Sequence, residues 1–167
     1  MRERVVIRSF TLAVWVVGAS LGLSGHAWAQ AKPAAGATFT GLGTNLVVKD
    51  MAKSLAFYRD TLGFSVTSAL PAAAPHVFAW LQRGGVHVFL NDQATVQKDP
   101  VMAKRYKPGP GGIAMFVLMT GIDQLYGAIK GKATVTEPIE TKAYGSREFT
   151  ISDPDGYVLT FSEQVKK

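Results

Sequence analysis

Few residues in this chain can do chemistry on their own. It contains no cysteine, which removes thiol nucleophiles, disulfides and thiolate metal ligands together. Of its three histidines, His76 and His87 lie beyond residue 29. His87 stands in the alternating run Val86-His87-Val88-Phe89-Leu90. An imidazole, whose ordinary titration lies near neutrality, suits a general base or a hydrogen-bond partner for a ligand; it can equally be satisfied by a neighbouring backbone carbonyl. Arg147 offers a planar fork that clamps a carboxylate or phosphate through two parallel bonds, or it pairs at the surface with Glu148 or Glu137. Trp80, Phe78 and Tyr144 supply either an aromatic wall for stacking or the packing of a hairpin. No nucleophile stands beside a base, and Gly109, Gly111 and Gly112 lack the strand-loop-helix context of a nucleotide-binding loop. A triad of two histidines and a carboxylate would need both His76 and His87, and no acidic residue has a claim to complete it.

The elements that must position these groups follow from apolar spacing. Residues 42–48 predict a strand, and Asp50 caps a helix whose inner face is Met51, Leu55, Tyr58 and Leu62, ended by Gly63. Strands follow over 64–67, 77–82 and 86–90, separated by a Pro/Ala loop and the Arg83-Gly84-Gly85 turn. The order is βαβββ. It repeats more faintly as a strand over 113–119, a helix over 122–130 and strands over 134–136, 147–152 and 157–163, the last two joined by Asp153-Pro154-Asp155-Gly156. Residues 91–111 are polar and Pro/Gly-containing and predict an irregular, mobile crossover. One such unit cannot bury its sheet face alone, so the two must pair in a curved sheet around a cleft, the ordinary place for a small molecule.

The amino terminus does not belong to that domain. Arg2, Arg4 and Arg8, an apolar run over 10–23 and Ala27-Trp28-Ala29 occur in the order of a secretory signal peptide cut before Gln30, with Ala29-Gln30-Ala31 a second cleavage site. The run is shorter than the ~20 residues of a spanning helix. The expected organisation is therefore a signal peptide over 1–29, a flexible leader over 30–39, a first module over 40–90, the crossover over 91–111 and a second module over 112–165. The expected destination is periplasmic or secreted, with no membrane attachment after cleavage. Loss of three arginines and one glutamate with the leader brings the formal charge from +6 to +4. The remaining basic residues are scattered, densest at Lys98, Lys104, Arg105 and Lys107, and form no aromatic-studded stripe for nucleic acid.

Two motifs carry a family resemblance. The run from Leu46 to Phe64, Leu-Val-Val-Lys-Asp-Met-Ala-Lys-Ser-Leu-Ala-Phe-Tyr-Arg-Asp-Thr-Leu-Gly-Phe, resembles the opening module of the vicinal oxygen chelate superfamily, which includes glyoxalase I, bleomycin-resistance proteins and extradiol dioxygenases. Tyr144-Gly145-Ser146-Arg147-Glu148-Phe149 followed by Asp153-Pro154-Asp155-Gly156-Tyr157 resembles its closing hairpin. The resemblance spans residues 41–164 and implies an α+β fold of two βαβββ modules forming a cupped, curved mixed sheet. In metal-dependent members each module offers one ligand from its first strand and one from its last. Counting from Asp50 and onward, those positions fall at Gly43, Phe89, Gly112 and Thr160. Glycine has no side chain, phenylalanine no lone pair, and a single threonine hydroxyl is a poor ligand.

The expectation is therefore a cleft with no metal and no cofactor. In phase with the former ligand positions, Asn45, His87, Phe89, Asn91, Phe116 and Thr160 should line it, with Trp80 and Arg147 as further ligand contacts. Phe89, Phe116 and Leu118 either line an open pocket or fill a closed core. The resemblance implies a homodimer that sequesters or carries a partly aromatic or amphipathic small molecule. The alternative is a glyoxalase- or dioxygenase-type enzyme working through His87 or an unrecognised metal site.

Overall fold

A computed structural model describes residues 41–110 and 112–165. The expected signal peptide and leader lie outside the described residues. The first module runs β1 (Leu42–Val48), α1 (Met51–Ala56), β2 (Ser65–Leu70), β3 (Phe78–Arg83) and β4 (Val86–Asp92). The second runs β5 (Ala114–Leu118), α4 (Ile122–Ile129), β6 (Thr134–Thr141), β7 (Ser146–Ser152) and β8 (Val158–Gln164). Each module forms its own four-stranded mixed sheet, ordered β1-β4-β3-β2 and β5-β8-β7-β6. In both, the first strand pairs parallel with the last and the remaining pairs are antiparallel.

Local chemistry explains the elements. Asp50 accepts a hydrogen bond from Lys53 N at 3.0 Å and starts α1. The helix continues as a π-helical segment (Phe57–Thr61) before the turn at Gly63. The stretch between the modules corrects the expected irregular crossover, for it contains two short helices, α2 (Gln93–Lys98) and α3 (Pro100–Arg105). Asp92 caps the first through Thr95 N, and Asp99 caps the second through Val101 N and Met102 N, with Pro100 in the first turn. α4 has no such local cap. Gly121 precedes it with φ 76°, a conformation that suits glycine, and Glu163 of β8 accepts the Ile122 N–H at 2.8 Å instead. No helix among the described residues is long and apolar enough to cross a membrane.

Alternation along the strands sends one face of each sheet to a shared core. Leu46, Val48, Leu81 and Leu90 from the first module meet Phe149, Ile151 and Leu159 from the second, with Tyr58, Leu62, Ile122 and Ile129 from the helices. Burying each such aliphatic side chain stabilises the fold by about 1.5–3 kcal/mol before conformational entropy is subtracted. The Asp153-Pro154-Asp155-Gly156-Tyr157 segment clasps this core across the modules. Tyr157 Oη accepts from Val47 N at 3.1 Å and donates to Val47 O at 3.0 Å. Asp153 accepts from Tyr58 Oη at 2.9 Å, and from the amides of Asp155 and Tyr157. Asp155 accepts from Ser54 Oγ at 2.7 Å and Lys49 N at 2.8 Å. A segment read from sequence as a hairpin turn thus also ties the two modules together.

Candidate functional site

The faces turned away from the core carry the candidate chemistry. On the first sheet, β1 presents Gly43 and Asn45, β4 presents His87, Phe89 and Asn91, and β3 presents Phe78, Trp80 and Gln82, all in register. The rings form a continuous array. Phe78 stacks on Phe89 with centroids 6.2 Å apart, Trp80 lies 5.7 Å from Phe89, and His87 lies 5.8 Å from Trp80. Trp80 Nε1 donates to His87 Nδ1 at 3.2 Å. With Nδ1 engaged as acceptor, a neutral ring carries its proton on Nε2 and presents a donor there. A depression of about 450 Å³ lies over this end of the face, walled by Gly41, Leu42, Gly43, Trp80, Gln82, His87 and Phe89. A larger groove of about 490 Å³ lies between α1 and the start of β6. Its lysines are exposed and its Asp153 is held by the clasp, so the smaller depression has the better-organised groups.

The former metal positions do not fit a metal. A Cβ added at Gly43 would lie 2.1 Å from Phe89 Cε2, so the Phe89 ring occupies the space where a ligand side chain at Gly43 would begin. The counterpart of Gly43 in the second module is Ala114, which corrects the expected Gly112. Gly43 pairs with His87, two residues before Phe89, and Ala114 pairs with Val158, two residues before Thr160. The helix caps agree, since Asp50 follows Gly43 by the same interval as Gly121 follows Ala114. Gly112 instead lies in the turn ahead of β5. Glycine, phenylalanine, alanine and threonine cannot together supply the lone pairs that a divalent ion requires. Among the described residues, no three His, Cys, Asp or Glu side chains gather elsewhere to replace them.

Asn45, Trp80, His87, Phe89 and Asn91 thus share one face. Asn91 is buried and donates weakly to Asn45 Oδ1 at 3.4 Å. Phe116 and Thr160 are register partners on the second sheet. Phe116 is 60% exposed and Leu118 73% exposed, so neither closes a core in the chain by itself. Thr160 Oγ1 shares a hydrogen bond with Thr150 at 3.1 Å. Arg147 stands apart. It forms a bidentate pair with Asp123 of α4 at 2.7–3.0 Å, on the helix side of β7, and takes no part in either open face. His76 bonds the Pro71 carbonyl of its own loop.

Sequence reasoning missed Glu148, which faces opposite to Arg147 as strand alternation requires. It is buried beneath hydroxyls: Ser146 Oγ and Ser162 Oγ donate to Oε1 at 2.6 and 3.0 Å, and Tyr144 Oη to Oε2 at 2.8 Å. The Ser146 bond leads in holding this carboxyl below its ordinary range, followed by those from Tyr144 and Ser162. Asp153 moves the other way, because burial outweighs the hydrogen bonds it accepts. Carboxyl-carbon NMR should find Glu148 titrating below its ordinary value and Asp153 above its own. The corresponding stability terms oppose each other. As pH falls, protonation of Asp153 adds stability, whereas protonation of Glu148 removes it. A Glu148 carboxyl that titrates at or above its ordinary value, or an Asp153 carboxyl at or below its own, would contradict this arrangement.

Comparison with known proteins agrees with the fold and its motifs. A family model for the Glyoxalase/Bleomycin resistance protein/Dioxygenase superfamily matches residues 42–161, and the chain belongs to that superfamily. Among its relatives is a bleomycin resistance protein of Geobacillus stearothermophilus, 27% identical over 129 residues, covering 72% of this chain and 94% of that protein. A superfamily member from Sphaerobacter thermophilus DSM 20745 is 25% identical with a TM-score of 0.58, covering 77% of this chain and 98% of that one. TioX from Micromonospora sp. ML1 shares the fold at 18% identity and a TM-score of 0.61, covering 76% of this chain and all of that one. TnmS3, described as an antibiotic binding protein from Streptomyces sp. CB03234, shares it at 20% identity and a TM-score of 0.58, covering 77% and 98%.

Proposed function

We propose that this protein binds a partly aromatic small molecule without a metal, sequestering or carrying it. The observation that carries the reading is the Phe89 ring seated over Gly43, which replaces a metal position with a stacking surface. Phe78, Trp80 and Phe89 hold a planar apolar group, while His87 Nε2 donates to an acceptor on it and Asn45 supplies a second polar contact. His87 serves better as a donor than as a base, because Trp80 already occupies the Nδ1 lone pair. Similarity to a bleomycin resistance protein, and in fold to TnmS3, described as an antibiotic binding protein, supports this reading.

Trp80 is the one tryptophan beyond residue 29, so its fluorescence reports on this face once the leader is gone. Screening aromatic compounds against the protein should find ligands that quench it, and Phe89→Ala should weaken them by about 1–3 kcal/mol. Stoichiometric zinc, nickel, iron or manganese in protein purified without added metal, removed by chelation together with an activity, would overturn the metal-free reading in favour of a glyoxalase- or dioxygenase-type enzyme.

The same proposal includes export and a homodimer. The order of charge, apolar run and Ala-Trp-Ala supports export, and the edge strands at which each four-stranded sheet ends support a second copy as their cover. Mass spectrometry of the exported protein should find its amino terminus at Gln30 or Lys32, and light scattering should give twice the monomer mass. An intact Met1 on cytoplasmic protein contradicts export. A monomer at tens of micromolar contradicts the dimer.

A further inference from the structure

The second sheet carries a buried carboxylate that, among the described residues, has no ion-pair partner. Glu148 is 5% exposed, and its three side-chain hydrogen bonds come from hydroxyl groups. Hydroxyls orient a carboxylate but bring no net charge. Glu140 stands directly opposite Glu148 across the β6–β7 pair, where like charges repel. Lys142 bonds Glu140 and lies 3.9 Å from Glu137; its charge also favours the ionised form of Glu148, but it forms no ion-pair contact with it. The result is a fixed, oriented anion.

Its surroundings are graded. Tyr144 reaches the carboxylate through its hydroxyl while remaining 70% exposed. Across the sheet the row from Glu148 continues through Ser162 to Leu118, with Phe116 alongside on β5. Two strand spacings separate the anion from this apolar edge, roughly 10 Å. A carboxylate beside an exposed tyrosine recognises a protonated nitrogen by charge and by hydrogen bonding.

We propose that this face receives the cationic end of an amphipathic ligand, a protonated amine or amidine held by Glu148 and Tyr144, with its apolar body lying toward Phe116 and Leu118. The proposal rests on the reading of the chain as a small-molecule binder and specifies the ligand class of its second face. Amide proton–nitrogen correlation spectra of the purified protein, titrated separately with phenethylamine and with the neutral phenethyl alcohol, test it. The amine should shift the Ser146, Glu148 and Ser162 signals with an affinity at least about tenfold above the alcohol's. Glu148→Gln should abolish that difference, and the comparison of the two probes on the unaltered protein stands whether or not the variant folds. Equal affinity of the two probes at these residues, or an amine preference that survives Glu148→Gln, overturns the proposal. If the alcohol shifts Trp80 and Phe89 while the amine adds nothing at Glu148, only this inference fails. If neither probe binds either face, the small-molecule reading fails with it.

Discussion

Tyr157→Phe should lower stability by about 2–4 kcal/mol, because one hydroxyl satisfies two buried backbone groups at once. Tyr157 is 1% exposed and Val47 3% exposed, so water does not readily replace the lost partner. The hydroxyl both accepts the Val47 N–H and donates to its carbonyl on the side of β1 away from β4. Phenylalanine fills the same volume, which leaves packing intact and isolates the polar loss. Against a total stability of roughly 5–15 kcal/mol for a domain of this kind, the change should be plain as a shift of the denaturant midpoint with little change in slope. A shift below about half a kcal/mol would mean that β1 rearranges or water enters, and that the clasp is not the tie described above.

A second large effect is expected at Gly43, whose role is close approach rather than unusual backbone. Any Cβ there meets Phe89 Cε2 at 2.1 Å and two further ring atoms at 3.0 Å. The ring cannot yield freely, since it is stacked between Phe78 and Trp80. Gly43→Ala should therefore cost about 1–3 kcal/mol, the usual range for overpacking. In a Phe89→Ala background the same substitution should cost almost nothing. A double-mutant cycle on unfolding free energy reads the coupling directly, and additive effects would refute the proposed steric contact. By the same geometry, Gly43→His alone should capture no divalent ion. The ring at Phe89 would still block it, and Ala114 and Thr160 would still offer only one hydroxyl between them.

The sequence made some parts of this molecule legible and hid others for physical reasons. The first module is readable because its signals are local: Asp50 caps the helix that follows it, apolar residues recur along one helical face, and Gly63 ends the turn. The second module is harder because its helix is capped from 41 residues away by Glu163, leaving Gly121 as a featureless start. That missing landmark explains the shift from the expected Gly112 to Ala114. α2 and α3 had legible caps in Asp92 and Asp99, but a polar stretch without an apolar stripe reads as a loop. The aromatic face around His87 and Phe89 follows from alternation along β4. Arg147 could have been separated from Glu148 by that same alternation. Glu148 lies within the closing motif, but its hydroxyl-lined burial carries no sequence signal, because the Ser162 that helps hold it becomes a neighbour only when β7 and β8 pair.

The clasp also sets when the chain can finish folding during its synthesis. Its ties reach back 95 to 110 residues, from Asp153 to Tyr58 and from Tyr157 to Val47. A ribosome that has made the whole first module has still not made the groups that close its core edge. Until residue 157 emerges, Tyr58 has no Asp153 to receive its hydroxyl and the Val47 backbone remains open to solvent or to another chain. Such distant contacts carry a loop-closure cost before they contribute any stability. The chain is therefore held short of its native state until residues 153 to 157 are available to it.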